Sequence, residues 1–300
     1  MIKVVILCGG IGGAKLVKGF YSNPNVDLTV VVNTGDDSFI HGVHLSPDLD
    51  SVIYALANVE GELGWGRRND TFVAHSIFSD IIGGFDFQMG DLDIGLNLYR
   101  TQMLQEGKSL TEVTHNLTKY FGLNNNIYPM SNQPVRTHIE TKSNNILEFQ
   151  EYFVIQKSKP RIKKVFYKGS DTAKPIEQVI KEIRECDKVI IAPSNPVLSI
   201  SPILSIKEYS ESLEAHKDVI LVSPFINSKA IKGPSINNFI DTGYEPSTLG
   251  LIKYYKNILN RIVVQDGDSQ QKTDVECLET NIVMKKINDS KVLANYLIKL

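Results

Sequence analysis

A glycine-rich turn follows directly after the first apolar stretch of this chain and limits strongly what the chain can fold into. Residues 4–7 form a short, partly β-branched run typical of a strand buried on both faces, and residues 14–20 have a helical pattern. Glycines remove Cβ atoms from a turn, and the start of a helix presents backbone N–H groups without partners. The sequence therefore predicts a strand, a turn and a helix start that together bind a phosphate or diphosphate. The glycines of this turn are Gly9, Gly10, Gly12 and Gly13.

The turn matches neither of the two common nucleotide motifs. Counted from Gly10, the dinucleotide fingerprint would place its third glycine where Lys15 stands. The P-loop requires Gly-Lys-Ser/Thr, but here Ala14 follows Gly13. The turn alone therefore specifies neither NAD nor ATP, and a tight turn without a ligand remains the alternative.

Composition excludes several classes of protein. A chain of 300 residues with 42% hydrophobic content is long enough for one large domain or two small ones. The net charge of -2 argues against general affinity for nucleic acid, and no apolar run is long enough to span a membrane. The chain starts without the pattern of a secretory leader. Three scattered cysteines suit a reducing compartment, so we expect a cytoplasmic protein.

Four apolar strands are predicted at residues 4–7, 28–32, 188–192 and 219–222, and each ends in small or hydrogen-bonding residues. In a parallel sheet these ends would share one edge, which is where open α/β sheets bind ligands. We therefore predict an α/β fold, with a Rossmann-like, mainly parallel sheet and helices on both faces. Late strands are expected at 262–264 and 282–284, before a closing helix at 290–299.

The segment between the early and the late strands of this pattern has a different predicted structure. Helices are expected at 69–82, 94–107 and 109–122, with a polar and aromatic connector at 85–93. An antiparallel hairpin is expected from strands at 135–141 and 146–154, with a further strand at 161–167. We therefore predict a nucleotide-binding core at 1–59 and 169–300, interrupted by an inserted helical and hairpin subdomain at 60–168.

Polar residues follow the second strand and open the next helix. An acid at the end of that strand would bind ribose in an NAD-dependent enzyme, but Asn33 stands there, which disfavours an oxidoreductase. Ser46 and Pro47 fit the first positions of a helix, and acids in its first turn interact well with the helix dipole. We expect Asp50 to face a ligand. The other candidates here are Thr34, Asp36, Asp37 and Asp48.

Several segments spread over nearly the whole chain form one ordered pattern. They are Cys8-Gly9-Gly10-Ile11-Gly12-Gly13-Ala14-Lys15-Leu16, Asn33-Thr34-Gly35-Asp36-Asp37, Leu45-Ser46-Pro47-Asp48-Leu49-Asp50, Gly90-Asp91-Leu92-Asp93, Met130-Ser131-Asn132-Gln133-Pro134-Val135-Arg136-Thr137, Ala192-Pro193-Ser194-Asn195-Pro196 with Ser199-Ile200, and Ser223-Pro224. Together these segments resemble the 2-phospho-L-lactate transferase family. The more distant gluconeogenesis-factor-like proteins share parts of the pattern, so a non-catalytic nucleotide-sugar-binding regulator is the alternative.

The resemblance implies a Mg²⁺-dependent transferase of deazaflavin coenzyme (factor 420) biosynthesis. Its donor is lactyl-2-diphospho-5'-guanosine, or a related three-carbon conjugate, and its acceptor is 7,8-didemethyl-8-hydroxy-5-deazariboflavin (Fo). The terminal ribityl hydroxyl of Fo attacks the phosphorus that carries the lactyl group, and GMP leaves. Neither nucleic acid nor a membrane takes part, and a homodimer is the commonest expectation for a soluble oligomer.

The resemblance also implies roles for single residues. Asp50 is the first candidate for the catalytic carboxylate, and Asp48 and Asp50 are the candidates for the metal. The acceptor contacts map onto Asp50 and the connector, where two basic residues typical of the family are missing around Gly90. The connector candidates are Gln88, Met89 and Asp91, and the candidates for the guanosine side are Ser194, Asn195 and Ser199.

Overall fold

The computed structural model describes residues 1–62, 64–84, 87–123, 126–227, 229–230, 234–269 and 273–300. Residues 85 and 86 of the expected connector lie outside this part of the chain. The strands are β1 (Ile2–Cys8), β2 (Val26–Val32), β3 (Ser38–Ile40), β4 (Val43–Leu45), β5 (Asn126–Pro129), β6 (Arg136–Thr141), β7 (Ile146–Glu148), β8 (Ile162–Lys168), β9 (Lys188–Ile191), β10 (Val219–Val222), β11 (Phe225–Ile226), β12 (Lys229–Ala230), β13 (Arg261–Val264) and β14 (Glu276–Glu279).

The helices surround these strands. Short π-helical turns occupy Glu151–Ile155 and Pro196–Ile200, and a 3-10 turn occupies Lys256–Ile258. The α-helices are α1 (Ile11–Tyr21), α2 (Pro47–Ala57), α3 (Val73–Ile82), α4 (Asp91–Gln105), α5 (Leu110–Tyr120), α6 (Glu177–Glu185), α7 (Ser201–Leu204), α8 (Lys207–Glu214), α9 (Ser235–Asp241), α10 (Thr248–Tyr255) and α11 (Ile287–Lys299).

A seven-stranded sheet in the order β14-β13-β10-β9-β1-β2-β5 forms the centre of the fold. All of its neighbouring strands are parallel. Side chains alternate across β1, so that Val5 and Leu7 enter one buried cluster, while Val4 and Ile6 enter the other. Helices α6 and α8 cover the first face, and α1 and α11 cover the second. The predicted parallel α/β fold with helices on both faces is confirmed.

The parallel pairing brings the carboxyl ends of β1, β2, β9 and β10 to one edge of the sheet, as predicted. The inserted segment contributes a separate three-stranded antiparallel sheet in the order β7-β6-β8. Within the described ranges, no helix is long and apolar enough to cross a membrane.

Three expectations at the strand level were wrong or incomplete. Strand β5 was missed, although it pairs with β2 in the main sheet, because it offers only two apolar side chains before Pro129. The core sheet therefore takes one strand from the range assigned to the insertion, and the division into core and inserted subdomain stays a proposal. The expected strand at 146–154 ends at Glu148, and a π-helical turn follows.

The expected strand at 282–284 is not a strand. The last strand of the sheet is β14, which pairs with β13 and carries charged residues at both ends. Ile282 and Met284 are apolar because they pack into the cluster beneath α1 and α11, and the Met284 carbonyl accepts the Lys15 ammonium at 3.1 Å. Burial against helices produced the apolar pattern that resembled a strand.

Candidate active site

The glycine turn begins α1 with Gly10 as its N-cap. The first bond of the helix runs from the Ala14 N–H to the Gly10 carbonyl at 2.8 Å. The N–H groups of Ile11, Gly12 and Gly13 precede this bond and therefore have no partner inside the helix. Three adjacent N–H groups at a helix N-terminus are the arrangement that the sequence predicts for anion binding.

The two preceding N–H groups are already bound within the chain. The Gly9 N–H donates to Ser194 Oγ at 3.1 Å, and the Gly10 N–H donates to the Asp48 carboxylate. A phosphate would therefore meet the N–H groups of the first helical turn, two to four residues later than Gly9. The role of Gly9 and Gly10 lies instead in close packing.

These glycines are required because other groups occupy the space of a Cβ atom. A Cβ on Gly9 would lie 2.6 Å from Ser199 Oγ, and one on Gly10 would lie 2.5 Å from Asp48 Oδ1. A Cβ on Gly12 would lie 2.8 Å from the backbone carbonyl of Pro193. The turn is thus wedged between the loop that follows β9 and the first turn of α2.

Asp48 lies directly at the glycine turn. Its Oδ2 accepts from Asn33 Nδ2 at 2.8 Å, while the Gly10 N–H donates to the same carboxylate. Burial raises the pKa of Asp48 to about 7, the nearby Asp37 adds to the rise, and the hydrogen bond from Asn33 opposes it. A carboxylate this close to a diphosphate site repels the ligand unless a cation or a proton compensates the charge.

Asn33 joins Asp48 to the loop that follows β2. Its Nδ2 also approaches Asp36 Oδ1 at 3.3 Å, and its Oδ1 accepts the Gly35 N–H at 2.8 Å. Burial raises the pKa of Asp36 well above its usual value, with Asp48 and Asp37 adding to the rise. Asn33 is therefore a positioning residue, and Thr34 is buried beside it with its carbonyl near the Arg136 guanidinium at 3.3 Å.

Asp37 receives two hydrogen bonds on one oxygen and none on the other. His44 Nε2 and Ser46 Oγ each lie 3.0 Å from Asp37 Oδ2. Its Oδ1 is buried without a hydrogen-bond partner. Ser46 occupies the N-cap position of α2 as expected, but its hydroxyl donates to Asp37 and does not cap the helix.

Asp50 points to a different partner from Asp48. The Arg100 guanidinium donates to Asp50 Oδ1, and Arg100 is itself only 1% exposed. Arg100 also donates to Asn97 Oδ1 and to the His44 carbonyl. Burial raises the pKa of Asp50, and the charge of Arg100 opposes that shift. The buried pair holds the Asp50 carboxylate in one orientation.

Arg100 was not among the residues singled out from the sequence. The signal that could have found it is the spacing of Asn97, Arg100 and Thr101, which puts three polar side chains on one buried face of α4. A buried arginine on a helix requires a carboxylate partner, but the sequence pattern alone does not say which one.

Asp91 of the connector and Asp70 before it cap helices. Asp91 accepts from Thr71 Oγ1 and from the N–H groups of Val73 and Ala74, and the Thr71 hydroxyl contributes most to lowering its pKa. Asp70 in return accepts the Leu92 N–H at 2.8 Å. The structure therefore places Asp91 at the start of α3. Gln88 is exposed and Met89 half-buried beside Gly90.

Asp93 lies closer to the centre of the site. Its Oδ1 accepts the Tyr54 hydroxyl at 2.7 Å, and burial raises its pKa to about 6. A cavity of about 130 Å³ adjoins it, with Trp65, Arg67 and Phe72 in its lining. This cavity offers aromatic surface and one arginine beside the Asp93 carboxylate.

The residues expected on the guanosine side have two different roles in the structure. Ser194 and Ser199 lie against Gly9. Asn195 caps the turn that follows it, because its Oδ1 accepts the N–H groups of Val197 and Leu198 at 3.0 and 3.1 Å. Its Nδ2 donates to Asn238 Oδ1 at 3.1 Å. The polar atoms of the Asn195 side chain are thus engaged within the chain.

The residues present fit a magnesium ion that substrate phosphates help to hold. Among the described side chains, no group of three or more His, Cys, Asp or Glu residues could hold a metal ion by itself. Mg²⁺ is commonly bound through one or two carboxylates together with substrate phosphates. Asp48 beside the anion site and the unpartnered Asp37 Oδ1 supply such oxygens.

The raised pKa of Asp48 predicts how stability depends on pH without divalent cations. The folded chain keeps this proton up to about pH 7, whereas an unfolded aspartate loses it near about pH 4. The folded state binds more protons within that window, so the free energy of unfolding falls as pH rises through it. We expect Asp48→Asn to flatten this fall in thermal denaturation with a chelator present, whereas Asp80→Asn, at an exposed position, leaves it unchanged. An equal fall in both variants would contradict the burial of this carboxylate.

The family model described as 2-phospho-L-lactate transferase CofD matches residues 4–294. The 2-phospho-L-lactate transferase of Methanococcus maripaludis strain S2 is 36% identical over 302 aligned positions, which cover 98% of this chain and 97% of that protein. The protein of the same name from Methanocaldococcus jannaschii is 35% identical, and the alignment covers 99% of this chain and 97% of that protein. The 2-phospho-L-lactate transferase of Methanopyrus kandleri is 33% identical, and the alignment covers 100% of this chain and 97% of that protein.

A solved structure resembles the whole fold. The crystal structure of a UPF0052 family protein from Bacillus halodurans has a TM-score of 0.69 at 18% identity, and the match covers 99% of this chain and 100% of that one. At this identity the likeness concerns the arrangement of helices and strands.

Proposed function

The chain belongs to the 2-phospho-L-lactate transferase family and is a transferase of deazaflavin coenzyme biosynthesis, and from this premise we propose its substrates and the residues that act on them. The donor is lactyl-2-diphospho-5'-guanosine and the acceptor is Fo. The acceptor's ribityl oxygen forms a bond to the phosphorus that carries the lactyl group, the bond from that phosphorus to the bridging oxygen breaks, and GMP leaves. The observation that carries the proposal is the position of the free helix N-terminus beside Asp48, in the first turn of α2 that also carries Asp50, at one edge of the sheet.

The first turn of α1 binds the diphosphate in this proposal. The N–H groups of Ile11, Gly12 and Gly13 donate to phosphate oxygens, and the helix dipole adds to the attraction. Ser194 and Ser199, against Gly9, lie beside the part of the nucleotide that leaves. Phosphoryl transfer depends mainly on such positioning and on charge neutralisation.

Mg²⁺, when bound, neutralises phosphate charge next to the carboxylates. We place it at Asp48, with Asp37 Oδ1 nearby, because Asp50 Oδ1 already accepts from Arg100. Asp48 is then ionised, and its charge no longer opposes the donor. Asn33 fixes the orientation of the Asp48 carboxylate through its 2.8 Å hydrogen bond.

Asp50 accepts the proton of the acceptor hydroxyl. Its raised pKa makes it a stronger base than an exposed aspartate, and Arg100 holds it in place. The acceptor approaches from the side of α4, where Gln88 and Met89 precede Gly90 and where Trp65 and Phe72 line the cavity beside Asp93. Aromatic walls suit a flat deazaflavin ring.

The direct test supplies the purified protein with the guanosine conjugate, Fo and Mg²⁺. We expect GMP and the phosphodiester product in equal amounts, and neither without Fo. Nucleotide binding without GMP release would contradict the proposal and would favour a non-catalytic nucleotide-sugar-binding regulator. Cys8, Cys186 and Cys277 form no disulfide, which suits the cytoplasmic location that we propose.

A homodimer is proposed from the exposed apolar surface around α3. No side chain of α3 is buried, although Ile77 and Ile81 are apolar and 57% and 78% exposed. Phe39 and Leu98 are also exposed, and the contact between the His41 and Phe78 rings, 4.4 Å apart, brings the turn between β3 and β4 against α3. Monomers rarely expose contiguous apolar patches above a few hundred Å², whereas a stable dimer buries about 800 Å² per partner.

The dimer is tested with two aspartates on this surface. We expect Ile77→Asp with Ile81→Asp to convert a wild-type dimer into a monomer in light scattering coupled to size exclusion. Val292→Asp is the control, because Val292 is similarly exposed but lies on α11. A wild-type monomer, or a double variant that stays dimeric, would contradict the proposal.

A further inference from the structure

Asn238 is a fully buried amide that joins two separate parts of the molecule. It lies on α9, and 0% of its surface is exposed. Its Oδ1 accepts from Asn195 Nδ2 at 3.1 Å, and its own Nδ2 donates to the Tyr152 hydroxyl at 2.8 Å. These partners are 43 and 86 positions away along the sequence. The mechanism proposed above gives neither Asn238 nor Tyr152 a role.

One end of this hydrogen-bond network is the loop that follows β9, residues 193–200, which we call the donor loop. The Asn195 side chain caps the π-helical turn within this loop. The preceding residue, Ser194, contacts the glycine turn, because its Oγ accepts the Gly9 N–H at 3.1 Å. A shift of the donor loop therefore disturbs the packing that holds the start of α1.

The other end of the network lies in the segment that carries the antiparallel sheet β7-β6-β8. Tyr152 is 1% exposed and belongs to the π-helical turn Glu151–Ile155. Helix α9 is bound to the same segment, because Asp241 accepts from Arg161 Nε and from the Ile162 N–H, each at 2.8 Å. The π-helical turn is a rare element that is frequent at functional sites. This segment therefore holds α9 in place beside the donor loop.

The direction of each hydrogen bond in the network is determined by its donors. The N–H groups of Val197 and Leu198 can only donate, so Asn195 must turn its Oδ1 towards them. Its Nδ2 then faces Asn238, which must present Oδ1 to Asn195 and Nδ2 to Tyr152. A flip of either amide would set two donors against each other. The network therefore has one orientation in which all of these hydrogen bonds form.

We propose that Asn238 and Tyr152 are positioning residues for donor binding, because they fix the Asn195 amide and, through it, the donor loop. Without the Asn238 oxygen, the Asn195 Nδ2 loses its acceptor, and an unsatisfied buried donor is costly. The Asn195 amide then turns to another partner, its Oδ1 leaves the N–H groups that it caps, and the loop moves away from the glycine turn.

This inference rests on the proposed function, which supplies the diphosphate donor. Three substitutions separate positioning from general structural support. Asn238→Leu keeps the branching of the side chain but removes both hydrogen bonds. Asn238→Asp keeps an acceptor for Asn195, and the Tyr152 hydroxyl can turn to donate to its second oxygen, although a buried carboxyl group lowers stability. Tyr152→Phe removes only a hydroxyl. Tyr209→Phe is its matched control, because Tyr209 is equally buried but donates to the Met130 carbonyl.

Calorimetric titration with GDP and with inorganic pyrophosphate measures the affinity of the donor site, and thermal denaturation measures stability. We expect Asn238→Leu to lose about ten- to hundredfold in affinity for both ligands, and Tyr152→Phe to lose about three- to tenfold. Asn238→Asp keeps the wild-type affinity despite its lower melting temperature, and Tyr209→Phe keeps it as well. In the full reaction, Asn238→Leu raises the KM for the donor, while kcat at saturating donor stays within about twofold of the wild-type value.

Each other outcome overturns a defined part of the account. Wild-type affinity for both ligands in Asn238→Leu, or in Tyr152→Phe should the leucine variant not fold, overturns the inference and leaves the transferase proposal in place. Affinities that follow the melting temperatures, with Asn238→Asp among the weak binders, show general structural support and also overturn it. A wild-type protein that binds pyrophosphate but releases no GMP overturns the proposed function, while the pyrophosphate titrations still decide the role of Asn238.

Discussion

Gly12→Val is expected to weaken GDP binding by at least a hundredfold. A Cβ at this position would lie 2.8 Å from the Pro193 carbonyl, which belongs to the backbone and cannot rotate away. The start of α1 must then shift, and the N–H groups of Ile11, Gly12 and Gly13 leave the anion site together. Each hydrogen bond to a charged group contributes about 1.5–3 kcal/mol, so the loss of two is sufficient.

Calorimetric titration with GDP measures this effect, and Gly95→Val supplies the matched control. Gly95 lies within α4, and apart from its chain neighbours and the backbone of its own helix no heavy atom lies within 4 Å of the place where its Cβ would be. We expect the control to bind GDP like the wild type. Unchanged GDP affinity in Gly12→Val would remove the glycine turn from the donor site.

Asp50→Asn is expected to lower kcat by about a hundredfold to ten-thousandfold, the usual contribution of a general base. The amide has the shape of the carboxylate, and its oxygen still accepts from Arg100, which also keeps Asn97 and the His44 carbonyl as partners. The fold therefore stays intact. What is lost is the capacity to take the proton from the acceptor hydroxyl.

Steady-state kinetics at saturating donor and Fo measure this loss, with circular dichroism as the check on folding. Asp27→Asn is the control, since Asp27 lies near the amino end of β2, away from the edge that carries the site. A folded Asp50→Asn variant with normal kcat would exclude Asp50 from the mechanism.

The parts of the fold that could be predicted from the sequence are the strands of the central sheet that consist of continuous apolar runs. Strands β1, β2, β9 and β10 are buried on both faces, so each appears as a continuous apolar run followed by small or polar residues. Strands β5 and β14 lie at the two edges of the sheet and need fewer apolar side chains. For that reason their sequences do not stand out from loops.

The candidate site could likewise be predicted only in part. The glycine turn before α1 could be predicted, because its glycines indicate both the bend and the close approach of neighbouring groups. The pairing of Asp50 with Arg100 could not, since it joins helices whose relative placement depends on the whole core. The capping of α3 by Asp91 depends likewise on where Thr71 comes to lie. The type of a residue therefore indicates a candidate site residue, but its hydrogen-bond partner depends on the tertiary structure.

The central claim is that one edge of the sheet binds a guanosine diphosphate at the start of α1, beside the carboxylates of α2. A crystal structure with GDP, Mg²⁺ and Fo bound tests it most directly. The account predicts phosphate oxygens within hydrogen-bonding distance of the N–H groups of Gly12 and Gly13, and the ribityl hydroxyl next to Asp50. A diphosphate bound elsewhere, or an Fo hydroxyl remote from Asp50, would contradict it.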